Sequence, residues 1–209
     1  LSLVLDQTSS GTYKTLNRLV KSGFLKKHKF QELNQSFFGI TNLGLMEAWE
    51  HGAKVEHRAA FEPSKTNVLF IRHHLDLQKA RLNAENNCWV DWVPDKLLPK
   101  DLKKRPDAVS INPQGERIAI EYERTIKTLK RYEVIWSIFL MDIKNNLYVK
   151  IHYVVPDSKT YRSLSRIFSL IVTVPVNGAR IKIQEKHRKR FEVHLLSDWP
   201  PYSKGYLNG

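Results

Sequence analysis

The sequence predicts an α+β protein in two parts: a small basic module of helices and strands over residues 1–60, and a mixed sheet flanked by helices over residues 61–209. Three observations carry this. Strand-length apolar runs alternate with helix-length amphipathic ones from residue 67 onward, and the composition changes most clearly near residues 50–65. Residues that are 42% hydrophobic and 11% aromatic suffice to bury a core although 26% are charged, so high charge here does not mean disorder.

In the first part, Ser9 or Ser10 can cap a helix running to Ser22, with Leu16, Leu19 and Val20 on one face and Gly23 as the stop. Lys14, Thr15 and Arg18 then point the other way. Phe24–Phe30 and Ser36–Ile40 read as strands around a polar turn, and Thr41 caps a helix over Asn42–Glu50. In the second part, Asn67–Ala84 is a helix with Val68, Ile71, Leu75 and Leu82 on one face. A Trp-rich segment (Cys88–Val93) and a basic stretch to Arg105 follow. Asp107–Ile111 and Arg117–Glu123 are strands joined by the turn Asn112-Pro-Gln-Gly115. Thr125–Ile143 reads as a long helix, Leu147–Val155 as a buried strand and Ser158–Ile171 as a helix. A basic segment and a last strand, Phe191–Leu196, end the domain.

Thirty-four Lys and Arg against 21 Asp and Glu leave a net charge of +13, which selects an anionic partner. Six Lys/Arg and one Asp fall within residues 1–30, and Arg180–Arg190 holds six Lys/Arg with one Glu. The longest apolar runs, Val134–Met141 and Ile167–Val176, fall short of the roughly 18 residues that a membrane span needs. No signal peptide is visible. The lone Cys88 excludes a disulfide framework and every multi-cysteine zinc site, in keeping with a reducing cytoplasm. Leu1 in place of Met implies that the chain begins within a longer protein.

Asp107 is followed after thirteen residues by Glu121-Tyr122-Glu123. Alternation along a strand puts Glu121 and Glu123 on one face and Tyr122 on the other. If Ile111 faces Arg117, Asp107 stands opposite Glu121, and three carboxylates converge within a few ångströms. Such a set is unfavourable unless a cation joins it. Mg²⁺ or Mn²⁺ accepts all-oxygen ligands and keeps several waters, one of which can attack a phosphodiester. The other reading is a solvated strand face whose acids pair with Arg117, Arg124 and Lys127.

The stretches SSGTYKTLNRLVKSGFLKKHK and FFGITNLGLMEAW resemble a winged helix-turn-helix: a recognition helix running into the wing, then the strand that closes the wing and the last helix. The local charge of +5 suits phosphate contacts. Lys14, Thr15, Arg18, Lys26, Lys27 and Lys29 are the candidate contacts to duplex DNA. Arg180, Lys182, Lys186, Arg188, Lys189 and Arg190 form a second candidate set, against the alternative of a solvated hairpin tip.

Pro106-Asp107, a hairpin and Glu-x-Glu are similar to the PD-(D/E)xK nuclease core, in which two acids bind metal and a lysine follows. Glu123 stands where that lysine would be. Either Glu123 completes the site or orients water, or a lysine one to two turns into the following helix, Lys127 before Lys130, takes the role. RPDA, IAIEYERTIKTLKRY and the terminal DWPPY further resemble the replication-relaxation group, which includes the MobC-type relaxases of mobilisable plasmids. That resemblance implies a winged helix joined to a restriction-endonuclease-like domain, nicking at a plasmid transfer origin, and relaxosome proteins as partners. It places Arg124, Thr125 and Tyr132 in the family pattern, without the usual Gly. A DNA-binding accessory or replication regulator with no catalysis is the alternative, and an RNA-binding protein the third.

Among other residues, His73, His74 and Asp76 read as a polar helix face, because adjacent His residues lie about 100° apart. Glu85 is a possible extra ligand or the i,i+4 partner of Arg81. Tyr132 is the tyrosine nearest the acids, Tyr122 reads as core, and no His-x-His pair occurs.

Overall fold

The computed structural model describes residues 8–53, 59–65 and 67–201, which divide into two compact units at Arg72 and His73. The side chain of Val68 and the terminal Tyr202 lie outside what is described.

In the first unit α1 (Ser9–Lys21) starts from Thr8, whose side chain accepts from the Gly11 N–H, one residue before the expected cap. It ends as the sequence predicts. Gly23 has φ +76°, its N–H reaches Val20 O, and the Phe24 N–H reaches Leu19 O, the two bonds of a Schellman stop. β1 (Leu25–Phe30) and β2 (Gln35–Ile40) form an antiparallel pair around Asn34, itself left-handed at φ +47°. Thr41 then caps α2 (Asn42–Glu50), accepting from the Gly44 N–H while donating to Gly23 O. A Cβ at Gly44 would come within 2.2 Å of Phe24 O, so only glycine lets this helix lie against the turn.

The second unit is α+β, with a five-stranded mixed sheet ordered β3-β4-β5-β6-β9. Helix α3 (Val68–Asn86) leads into β3 (Val90–Pro94), β4 (Ala108–Ile111) and β5 (Arg117–Tyr122), an antiparallel meander. The Trp-rich segment thus contains an edge strand that its sequence did not announce. Helix α4 (Leu129–Lys144) returns the chain to β6 (Lys150–Val155), parallel to β5. Helix α5 (Ser158–Ser169), the hairpin β7 (Thr173–Val176) and β8 (Ala179–Lys182), and the short α6 (Glu185–Arg188) precede β9 (Phe191–Leu195), parallel to β6. That hairpin lies where a basic segment was expected. Its Asn177-Gly178 turn, with φ +48° and +82°, is the two-residue signal that could have revealed it.

Alternation along the parallel strands divides the core. Ala119, Ile151, Tyr153 and Val155 face α4 and α5, and there Trp136 stacks flat on Phe191 with ring centroids 3.9 Å apart. Ile118, Ile120, Tyr122 and Val154 face Ala80 and Ala84 of α3 and the rings of Trp89 and Trp199. Helix α4 begins at Leu129, not Thr125, because Thr128 caps it and the preceding residues turn back toward β5. Lys127 therefore precedes the helix, and Lys130 stands exposed in its first turn.

Trp136→Ala should lower the unfolding free energy by about 3–5 kcal/mol, the usual cost of emptying so large a buried site. Urea unfolding followed by circular dichroism measures it, with an unchanged slope against denaturant if the unfolded state is unaltered.

Candidate active site

The turn after β4 is built as its residues predict: Asn112 Oδ1 accepts from the Gln114 and Glu116 N–H groups, and Gly115 takes φ +77°. That turn sets the pairing Ile111↔Arg117 through Ala108↔Ile120. Asp107 follows one step beyond, and its Oδ2 accepts from the Tyr122 N–H at 2.7 Å. Glu121 and Glu123 are buried, 6% and 5% exposed, and Tyr122 is turned away from them into the α3 face.

The three carboxylates do not close into a metal-sized set: among the described residues no such set with ligating atoms within 4.8 Å of one another includes them. Each is instead matched to its own cation. Lys104 Nζ is 2.5 Å from Glu121 Oε1, Lys127 pairs with Glu123 Oε2, and His73 Nε2 lies 3.4 Å from Asp107 Oδ1. The reason is electrostatic. Carboxylates that leave water require opposite charge close by, and three side chains supply it here. A hard divalent ion still fits the donors, since Asp107 and Glu121 offer only oxygen and Mg²⁺ needs one or two carboxylates besides its waters.

Burial pushes the Glu121 carboxyl up to about 7, against the opposing pull of Lys104. The nearby Tyr153 hydroxyl is wholly buried and has no hydrogen-bond partner among the described residues, while burial and the charges of Glu121, Glu123 and Asp107 raise its pKa well above that of a free phenol. Asp107 is held below the usual carboxylate range; its burial opposes this, and the hydrogen bond and charge of His73, with the Tyr122 N–H, outweigh it. His73 is raised in turn by Asp107.

Several residues take other places than the sequence suggested. His73 was read as part of a polar helix face; it touches Asp107 and packs edge-on to Tyr122. Asp76, of the same face, accepts from the Tyr122 hydroxyl and pairs with Arg124. Neither contact could be read from helical spacing, because each depends on which strand α3 covers. Lys104 was one lysine of a basic stretch, with no periodic signal to single it out. Glu85 pairs with Arg81 at 2.6 Å on the surface. Tyr132 is fully buried and donates to Glu123 Oε2 at 2.9 Å, so it orients that carboxylate and is not presented as a nucleophile.

The basic residues divide as well. Lys14, Arg18, Lys26 and Lys29 are exposed, and Thr15 is half-buried. Lys27 is held by the Tyr13 hydroxyl at 2.8 Å and lies over the Tyr13 and Phe38 rings. In the second cluster Arg188 donates to Phe168 O and Ile171 O, tying the last turn of α5 to the segment that follows it. Arg190 donates to Val149 O, and Arg180 pairs with Glu133 at 2.6 Å. Lys182, Lys186 and Lys189 remain exposed, and Lys186 and Lys189 border an open depression of about 590 Å³ with Lys150, Arg190 and Glu192. The solvated-tip reading thus fits Lys182, while Arg188 is a structural residue.

Comparison of the chain with protein-family models, with curated proteins and with solved structures finds no match.

Because the folded-state pKa of Glu121 is raised, this carboxyl keeps its proton in the folded protein and loses it in the unfolded chain between pH 4.5 and about 7. Its contribution to stability is therefore lost as pH rises through that window, by roughly 3 kcal/mol at most, while His152, whose pKa burial lowers to about 3, acts in the opposite direction up to pH 6.5. The difference in urea midpoint between Glu121→Gln and the unaltered protein should shift in the variant's favour from pH 4.5 to 7.5, and Lys104→Met should raise the carboxyl pKa further, read by carbon NMR.

Proposed function

We propose that the protein is a metal-dependent DNA endonuclease in which a winged module positions the duplex and the β4–β5 hairpin carries the chemistry. The observation that carries this reading is the group of three acids at the end of that hairpin, two of them buried, in a chain of net charge +13. A helix, a three-stranded meander, a second helix and a parallel strand, here α3 to β6, support the restriction-endonuclase-like comparison made from the motifs. By the same resemblance the substrate is plasmid DNA at a transfer origin, with relaxosome proteins as partners and the cytoplasm as the compartment. No helix among the described residues is long and apolar enough to cross a membrane.

Asp107 and Glu121 would hold Mg²⁺ or Mn²⁺, which supplies an acidified water and a counter-charge for the phosphate. The chain's own groups do the rest. Lys104, beside Glu121, and Lys127, beside Glu123, would supply the positive charge that stabilises a phosphorane. Glu123, fixed by Tyr132, completes the site or orients water. His73 and the Tyr122 N–H hold Asp107 ionised. One feature favours the alternative of a non-catalytic DNA-binding accessory: Glu121 and Glu123 already face lysines and Asp107 faces His73, so protein groups offset the buried acids.

Supercoiled plasmid carrying the cognate origin should be nicked in the presence of Mn²⁺, with Asp107→Ala and Glu121→Ala each at least about 100-fold slower. Nicking that persists in both variants would overturn the reading, and salt-sensitive binding without cleavage would favour the accessory. In the binding assay Lys186→Ala and Lys189→Ala should each reduce the slope of log affinity against log salt by about one. Arg188→Ala should instead lower the melting temperature.

A further inference from the structure

The opposite face of the same sheet holds a second polar cluster that the reading above does not use. His152 on β6 is the cross-strand partner of Glu192 on β9, and His194 follows Glu192 by two residues, so all three side chains leave one face. Among the described residues this is a set whose ligating atoms all lie within 4.8 Å of one another. Glu192 Oε2 is 3.5 Å from His152 Nε2 and 3.3 Å from His194 Nε2. Donors about 2.0–2.2 Å from a tetrahedral ion stand roughly 3.3–3.5 Å from one another, so these separations match the edges of such a shell. The His194 Nε2 atom is buried and makes no well-formed hydrogen bond among the described residues.

We propose that His152, Glu192 and His194 bind a divalent transition-metal ion of the Zn²⁺ class through two imidazoles and one carboxylate. Imidazole donors suit Zn²⁺ and its neighbours and discriminate against Mg²⁺, which separates this ion from the one drawn to the all-oxygen set on the other face. The supporting groups are in place. His152 is buried, which disfavours its charged form, and Glu192 faces Lys150. Lys150 Nζ donates to Glu192 Oε1 at 2.6 Å, leaving Oε2 for the ion. Two adjacent strands carry the ligands, so their spacing is fixed by the sheet.

Trp199 adds a condition. Its indole N–H donates to His152 Nδ1 at 3.1 Å, and an indole nitrogen can only donate. The His152 proton therefore sits on Nε2 in the metal-free protein. Loading an ion on Nε2 shifts that proton to Nδ1, with none released from the neutral ring, and Trp199 must give up its bond. Glu192 also borders the basic depression of Lys186, Lys189 and Arg190, so the ion lies beside a surface that gathers anions.

Metal-stripped protein titrated with Zn²⁺ in a calorimeter should bind one equivalent, unaffected by excess Mg²⁺ and retained in the Asp107→Asn, Glu121→Gln double variant. His194→Gln and Glu192→Gln should each weaken binding at least tenfold, the low end for lost ligand-shell groups. Co²⁺ in the unaltered protein should give visible ligand-field bands, a readout that needs no variant. Absence of binding, a featureless Co²⁺ spectrum, a loss under tenfold in both ligand variants, or loss in the double variant would each overturn the assignment. None of these outcomes depends on whether the protein cuts DNA.

Discussion

The parallel pairing of β5 with β6, in which Glu121 stands opposite Tyr153 and Ile120 opposite His152, constrains both polar sites. Side chains alternate along each strand, so one register assigns the acids and Tyr153 to the α4–α5 face, and His152 to the α3 face. A slip of one residue would exchange the faces, placing a histidine in the core around Trp136 and an acid against Trp89 and Trp199. Register is therefore enforced by burial on both sides, and the chemistry inherits its positions from packing.

The same burial explains why the acids come with lysines. A carboxylate removed from water is costly unless opposite charge or hydrogen bonds replace the lost solvation. Glu123 has Lys127 and the Tyr132 hydroxyl, and Asp107 has His73 and a backbone N–H. Glu121 has Lys104 alone among these, and its carboxyl is the one pushed up to about 7. The contrast between a depressed Asp107 and a raised Glu121 thus follows from what replaces water around each carboxylate.

What the sequence revealed was what local rules determine. The β4–β5 register followed from the turn Asn112-Pro-Gln-Gly115, the α1 stop from Gly23, and the α2 cap from Thr41. The acids' shared face followed from alternation alone. What remained hidden depends on contacts between segments far apart in the chain. Lys104 meets Glu121 across 17 residues and His73 meets Asp107 across 34 (107 − 73), with α3 folded over the sheet. His152 reaches Glu192 across 40 residues (192 − 152) through a parallel pairing that no periodicity encodes. The β7–β8 hairpin was different, since Asn177-Gly178 announced it locally.

Net charge, too, has to be read through the fold. Arg188 is bound to Phe168 O and Ile171 O, Arg190 ties down Val149, Arg180 answers Glu133, and Lys104, Lys127 and Lys150 each face a carboxylate. A guanidinium bound to two carbonyls keeps its charge but not its freedom to follow a phosphate backbone. It contributes to the long-range field that draws an anion in, and little to the close contacts that hold it. Lys14, Arg18, Lys26 and Lys29 in the first unit, and Lys186 and Lys189 in the second, are exposed. In the proposed DNA complex, attraction over a distance would come from the whole excess of +13 and grip from exposed side chains such as these, and the two would respond differently to substitution because only the second changes the number of phosphates neutralised.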